Sequence, residues 1–145
     1  DREKYIEFCK RENHKTLLGY GLALSPEQLA AVDKEIAKLM SLTVPWDPPK
    51  TVKPKRPGID KEEPMYAYKL KQEADGRLYK FTSSKFKTYF VMSTNCVLLA
   101  DTIVGAAGTD ILSVRGFISP GTYQGYLDKE FERPHSLVVT KRVYQ

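Results

Sequence analysis

The stretch YFVMSTNCVLLADTIVGAAG, residues 89–108, joins a strand-like apolar run to a helix-like apolar run through a few small polar residues. Cys96 stands where the helix is predicted to begin, and Gly108 is predicted to end it shortly after Ala106. The helical run is apolar on every side, which predicts a helix buried against a sheet. Because this run follows a strand directly, its cysteine is predicted to lie at a strand-to-helix junction.

Two interpretations of Cys96 are open. The partial positive charge and free N–H groups of a helix N-terminus favour the thiolate, which is the nucleophilic form of cysteine. The same N–H groups can stabilise an oxyanion on an attacked carbonyl. Ser93, Thr94 or Asn95 is the predicted helix cap. Alternatively, Cys96 is a core residue, because cysteine is among the most often buried residue types.

Length and composition narrow the class of protein. The 145 residues suit a single domain, and the net charge of +5 favours acidic partners only weakly. No run approaches the ~18 apolar residues of a membrane helix, so no membrane span is predicted. The two cysteines and two histidines lack the spacing of a zinc site, and no metal or cofactor is expected. Whether Cys9 pairs with Cys96 stays open.

The remaining pattern predicts helices and strands in separate blocks. The segment Ser25 to Met40 has the clearest helix start, with Ser25 as N-cap, Pro26 at the first position and Gln28 completing a capping box. Further helices are predicted at residues 1–13 and after Ser119. Strands are predicted for TLLGYGLAL (16–24), MYAYKLKQ (65–72), RLYKF (77–81), KTYFVM (87–92) and HSLVVTKRVY (135–144). This order predicts an α+β fold with a largely antiparallel sheet packed by helices.

Residues 41–64 contain six of the nine prolines and several lysines, which predicts an extended loop without regular structure. Trp46 lies in this loop, either as an anchor in the core or as a platform for a ligand. Lysines also alternate with aromatic residues in the strands predicted next. Such alternation can stack single-stranded nucleic acid, but a sheet with one solvated face explains it more simply, so nucleic acid is not expected as a partner.

A resemblance bears on Cys96. The succession of the LSPEQL helix, a variable loop, YFVMSTNCVLLAD and SPGTYQGYL resembles the C-terminal half of circularly permuted papain-like thiol hydrolases. These are relatives of NlpC-type cell-wall peptidases and lecithin:retinol acyltransferase-like proteins. The similarity spans roughly residues 17–127, and only Asn95-Cys96 within it is motif-like. It implies a papain-like fold with a central Cys-bearing helix, hydrolysis or transfer at an amide or ester through an acyl-Cys96 intermediate, and an exported or cell-envelope location.

The base for such a thiol enzyme has three candidate positions. In the permuted family the histidine precedes the cysteine, which favours His14 by a small margin. His135 follows Cys96, as in the unpermuted enzymes, and is predicted to begin the last strand. Alternatively, the base lies before Asp1 in a longer or processed protein, or on a second polypeptide that completes the site. The substrate is expected to be a peptide or another acyl compound.

The competing function is a non-catalytic interaction module. In this interpretation Cys96 is buried, and the basic proline-rich loop around residues 50–61 binds an acidic partner. The reactivity of the Cys96 thiol distinguishes the two functions.

Overall fold

The computed structural model describes residues 1–14, 16–53, 57–58, 61–87, 95–108 and 119–145. These residues form an α+β fold of helices and small antiparallel sheets, as the sequence predicts. The helices are α1 (Arg2–Asn13), α2 (Pro26–Ser41), α3 (Tyr66–Ala74), α4 (Asn95–Gly105) and α5 (Pro120–Glu132). The strands are β1 (Leu17–Leu22), β2 (Thr43–Pro45), β3 (Thr51–Val52), β4 (Glu63–Pro64), β5 (Tyr79–Phe81) and β6 (Val138–Tyr144).

In the described part of the chain the strands pair two by two instead of forming one sheet. β1 pairs with β6, β2 with β5 and β3 with β4. The last pair lies inside the segment predicted to lack regular structure, with Thr51 opposite Pro64 and Val52 opposite Glu63. The prediction for residues 41–64 is therefore wrong in this respect, because β2 and the β3–β4 ladder form within it. A proline is tolerated there because it occupies the end of an exposed two-residue strand.

The predicted strand at residues 65–72 is wrong, since these residues belong to helix α3. The alternation of aromatic and polar residues suggested a strand, but Ala67, Leu70 and Ala74 also follow helical spacing. Tertiary packing decides between the two periods. Ala74 is buried, and α3 packs on α1, where the ring of Tyr66 meets that of Phe8 edge-on at 5.3 Å. Asp75, in the left-handed conformation, ends this helix.

The capped helices agree with the prediction. Ser25 accepts a hydrogen bond from the Gln28 N–H, and the Gln28 side chain accepts one from the Ser25 N–H, so the capping box of α2 is complete. Ser119 caps α5 through the Thr122 N–H, with Pro120 in the first helical position. These starts are predictable because the partner groups lie within three residues of each other along the chain.

The chain divides into two compact units. Unit 1 consists of Asp1–Leu17, Pro45–Lys80 and Val143–Gln145, and unit 2 of Leu18–Val44 and Phe81–Arg142. Unit 1 is built on the α1–α3 pair, with Phe8 and Cys9 buried. In unit 2, α4 packs against α2 and α5, and the buried residues are Leu39, Val97, Ala107 and Val138. The organisation of residues 1–145 as a single domain stays a prediction.

None of the helices in the described ranges is long and apolar enough to cross a membrane. This agrees with the prediction of no membrane span.

Candidate active site

Cys96 is the second residue of α4, in its first turn, and its thiol is free and exposed to solvent. The predicted helix start is thus confirmed to within one residue, with Asn95 as the first helical residue. The other predicted capping residues, Ser93 and Thr94, lie outside the described residues. The N–H groups in the first turn of a helix have no partner within the helix, and Cys96 lies in that turn of α4.

Burial of α4 is uneven, which corrects the prediction of a helix buried on all sides. Val97 is buried at 6% exposure, whereas Leu98 and Ile103 are half-buried and Ala100 is exposed. The helix packs against α2 and α5, and Cys96, Ala100 and Gly105 are its exposed residues in the described part. The position is therefore accessible to a substrate, and the core interpretation of Cys96 does not fit its exposure.

Cys9 contrasts with Cys96. It is buried in unit 1 at 3% exposure, and both cysteines are free thiols. A hydrogen bond to Cys9, together with burial, raises the pKa of the neighbouring Tyr5 to about 12. Cys9 is therefore a core thiol. Cys9 and Cys96 do not form a disulfide, since both are free thiols.

The two candidate bases occupy left-handed backbone positions. His14 caps the C-terminus of α1 with φ 49° and ψ 32°, is exposed, and belongs to unit 1. His135 is exposed with φ 61° and belongs to unit 2, as Cys96 does. The prediction that His135 begins the last strand is wrong, since β6 begins at Val138. Within the described residues of unit 2, no hydrogen bond joins His135 to Cys96.

The turn that carries His135 is fixed by its neighbours. The Ser136 hydroxyl donates to a Glu130 carboxylate oxygen at 2.9 Å, and the Arg133 guanidinium pairs with the same oxygen at 2.7 Å. The Ser136 N–H donates to the Arg133 carbonyl at 3.3 Å. These bonds complete a turn between α5 and β6, and this is why the strand starts later than the sequence pattern suggests.

A polar cluster that the sequence did not predict links β1, α5 and β6 in unit 2. The Tyr20 hydroxyl and the Lys141 ammonium both donate to Asp128 Oδ1 at 2.6 Å. Burial, and then the bond to Asp128, raise the pKa of Tyr20 to about 12. The bonds from Lys141 and Tyr20 hold the pKa of Asp128 below its usual range. The phenol is therefore a donor at neutral pH and not a base, which indicates a structural cross-link.

A second pair lies where α4 meets α5. Burial raises the pKa of the Asp101 carboxyl above its usual value. Burial, and then the charge of Asp101, raise the pKa of Tyr123 to about 12. Asp101 follows Cys96 by five residues, which places it about 140° around the helix, so the two side chains leave α4 on different faces. Asp101 is thus no orienting partner for the thiol.

Among the described residues, no group of His, Cys, Asp and Glu side chains is arranged to hold a metal ion. The chain matches no protein-family model, and comparisons with the curated proteins and with the solved structures find no significant match.

Proposed function

We propose that this protein is a cysteine hydrolase or acyltransferase that acts on an amide or ester through an acyl-Cys96 intermediate. The observation that carries the proposal is the free, exposed thiol of Cys96 in the first turn of α4. The helix that carries Cys96 packs against α2 and α5. The resemblance of residues 17–127 to permuted papain-like hydrolases supports the same chemistry and a papain-like architecture.

The proposed reaction has two stages. The Cys96 thiolate attacks the substrate carbonyl carbon, and the N–H groups of the first turn of α4 stabilise the resulting oxyanion. The C–N or C–O bond then breaks, and the leaving group takes a proton from an imidazolium. Water, or a second acceptor, attacks the thioester carbonyl and releases the thiol. A peptide or another acyl compound, including a cell-wall fragment, is the substrate class.

The base remains a choice among the three positions named above. His135 shares unit 2 with Cys96, and His14 has the chain order of the permuted family. Both imidazoles are solvent-accessible. A second polypeptide, or a segment outside this sequence, is the third source.

Site-resolved alkylation tests whether Cys96 is activated. The rate of reaction with iodoacetamide is measured by mass spectrometry between pH 5 and 9, for the folded protein and for the urea-unfolded chain. If Cys96 is an activated nucleophile, it reacts at pH 7 at least about tenfold faster in the folded protein than in the unfolded chain. Cys9 is the internal control, because its burial predicts that it reacts only after unfolding. A folded Cys96 that reacts no faster than the unfolded thiol contradicts the proposal.

Variants identify the base. Asparagine tolerates the left-handed backbone found at both histidines, so His14→Asn and His135→Asn remove the imidazole with little strain. Loss of the base is expected to slow alkylation of Cys96 at pH 7 by an order of magnitude or more. If neither variant slows it while Cys96 stays fast, the base lies outside this chain.

Acyl transfer is tested directly with p-nitrophenyl acetate. The expected product is a hydroxylamine-sensitive acetyl group on Cys96, which turns over in the parent protein. Cys96→Ser is expected to abolish nitrophenol release above the background rate. Release that is unchanged in this variant would exclude Cys96 as the nucleophile.

A non-catalytic interaction module is the second candidate. Lys50, Lys53 and Lys61 are exposed, and none of them pairs with a carboxylate in the described part of the chain. An unreactive Cys96, combined with binding of poly-glutamate that is lost when these three lysines are changed to Glu, would favour this function.

A further inference from the structure

Unit 1 contains an open cleft with two adjoining cavities. The larger, of about 330 Å³, is lined by Trp46, Asp47, Lys71, Arg77, Leu78 and Tyr79, among others. The smaller, of about 260 Å³, is lined by Trp46, Tyr79 and Lys80. Trp46 and Tyr79 line both cavities, which therefore adjoin each other.

The backbone holds Trp46 beside Leu78, the residue that precedes Tyr79. The Trp46 N–H donates to the Leu78 carbonyl at 2.9 Å, where the chain leaves β2 beside the start of β5. Trp46 is half-buried, whereas Tyr79 is 41% exposed. Trp46 is therefore both an anchor and part of a solvent-facing surface, which combines the two roles that the sequence left open.

The charges around the cleft are unbalanced. Lys71 and Asp47 form an ion pair and neutralise each other. Arg77 and Lys80 are exposed and pair with no carboxylate of the described residues. Two cations thus flank two aromatic rings, and the carboxylate that lines the cleft is already occupied.

We propose that this cleft binds nucleotide units, with a flat base stacked on Trp46 or Tyr79 and its phosphate held by Arg77 or Lys80. Aromatic rings stack on any base, and adjacent cations hold the phosphate backbone. Two adjoining cavities fit two successive bases of a single strand, and one cavity fits a free nucleotide. A neutral sugar would leave both cations without a partner, which makes it the poorer fit.

This inference is independent of Cys96, which lies in unit 2. It also revises the expectation that nucleic acid is not a partner. That expectation rested on the alternation of lysines with aromatic residues in the predicted strands at 65–72, 77–81 and 87–92. Of these, the first belongs to α3, the second contains β5, and residues 88–92 lie outside the described residues. The cleft arises from residues about 30 positions apart in the sequence, at the ends of β2 and β5.

Fluorescence tests the proposal, because Trp46 is the only tryptophan. The probes are AMP and hexathymidylate, titrated at increasing NaCl concentrations. We expect saturable quenching of Trp46 emission. The logarithm of the association constant for the hexamer should fall, for each tenfold increase in salt, by about 0.7 per phosphate contacted. A hexamer that binds more than tenfold tighter than AMP identifies a strand as the natural source, whereas similar affinities identify a free nucleotide.

Matched variants locate the site. Arg77→Ala with Lys80→Ala is expected to weaken hexamer binding by about tenfold or more. Tyr79→Ala should weaken it at least about fivefold, and Tyr79→Phe less than twofold, because the stacking ring remains. The double variant Lys34→Ala and Lys38→Ala removes the same charge from the exposed surface of α2 and should change affinity less than twofold. Urea unfolding of each variant verifies that it is folded.

Three outcomes would overturn the proposal. The first is the absence of saturable quenching by either probe. The second is binding of inorganic polyphosphate as tight as that of the hexamer, with the Tyr79→Ala variant unaffected, which indicates a general polyanion surface. The third is tighter binding of an N-acetylglucosamine tetramer than of the hexamer, which indicates a carbohydrate site.

Discussion

At the scale of the residue, side chains of the same type differ in exposure and pKa because their surroundings differ. Cys9 is buried on α1 in unit 1, and Cys96 is exposed at a helix start in unit 2. The same holds for the carboxylates. Asp128 accepts bonds from Lys141 and Tyr20, which lower its pKa, whereas burial raises the pKa of Asp101. The pKa of an aspartate is thus lowered where cations and donors surround it and raised where it is buried without them.

The Asp128 cluster predicts a pH-dependent stability. Because the pKa of Asp128 is lower in the folded protein, its carboxylate stabilises the fold above the unfolded value of about 3.9, and the contribution is lost as pH falls further. We expect Asp128→Asn to lower the melting temperature at pH 7, and the difference from the parent to shrink below pH 4. Thermal unfolding followed by circular dichroism at pH 3 to 8 measures both.

Glu132→Gln is the matched control for this prediction. Glu132 lies on the same helix, is exposed and pairs with no cation among the described residues. Its replacement should leave the melting temperature nearly unchanged across this range. An Asp128→Asn variant that behaves like Glu132→Gln would show that the cluster contributes nothing to stability.

At the scale of the element, short-range capping sets where the helices begin. Ser25→Ala removes both the hydroxyl acceptor of the Gln28 N–H and the reciprocal arrangement of the box. We expect it to lower the free energy of unfolding by about 1 kcal/mol, whereas Ser25→Asn, another good cap, should cost only a few tenths. Urea denaturation measures both values. Equal costs for the two variants would argue against capping as the cause.

The uneven burial of α4 predicts different costs along one helix. Val97→Ala removes two buried carbons and should lower the free energy of unfolding by about 1.5–3 kcal/mol. Ala100→Gln, at an exposed position of the same helix, should change it by less than about 0.5 kcal/mol. The comparison uses urea denaturation at pH 7. Similar small effects at both positions would place α4 at the periphery of unit 2.

At the scale of the whole molecule, the β1–β6 pair joins segments from opposite ends of the sequence. The Ala23 N–H donates to the Leu137 carbonyl at 2.9 Å, and the backbone of Gly21 passes close to Thr140. A Cβ atom at Gly21 would collide with the Thr140 hydroxyl oxygen. Glycine is therefore needed at position 21 because of a residue more than a hundred positions away.

This contact predicts a specific rescue. Gly21→Ala alone should lower the free energy of unfolding by about 1–3 kcal/mol, because Thr140 must shift. Adding Thr140→Ala removes the colliding oxygen and leaves the Cβ of residue 140 at an ordinary contact distance of 3.4 Å. The double variant should recover most of the loss, and Thr140→Ala alone should be nearly neutral. Additive losses in this double-mutant cycle would exclude the collision as the cause.

The sequence by itself determined what depends on neighbouring residues. The starts of α2 and α5 follow from groups three positions apart, which satisfy each other wherever the segment lies. The placement of Cys96 in the first turn of α4 follows from the local sequence pattern around it. The mixed α+β class followed from the same local signals. For the proposed site, the sequence therefore identified the cysteine and its helix end.

The tertiary structure decided what depends on distant partners. The period of residues 66–74 was ambiguous until packing on α1 selected a helix. The Tyr20–Asp128–Lys141 cluster and the Trp46–Tyr79 cleft bring together side chains from separate elements. No local sequence pattern predicts these contacts, because the side chains come together only after burial of apolar surface has packed their elements.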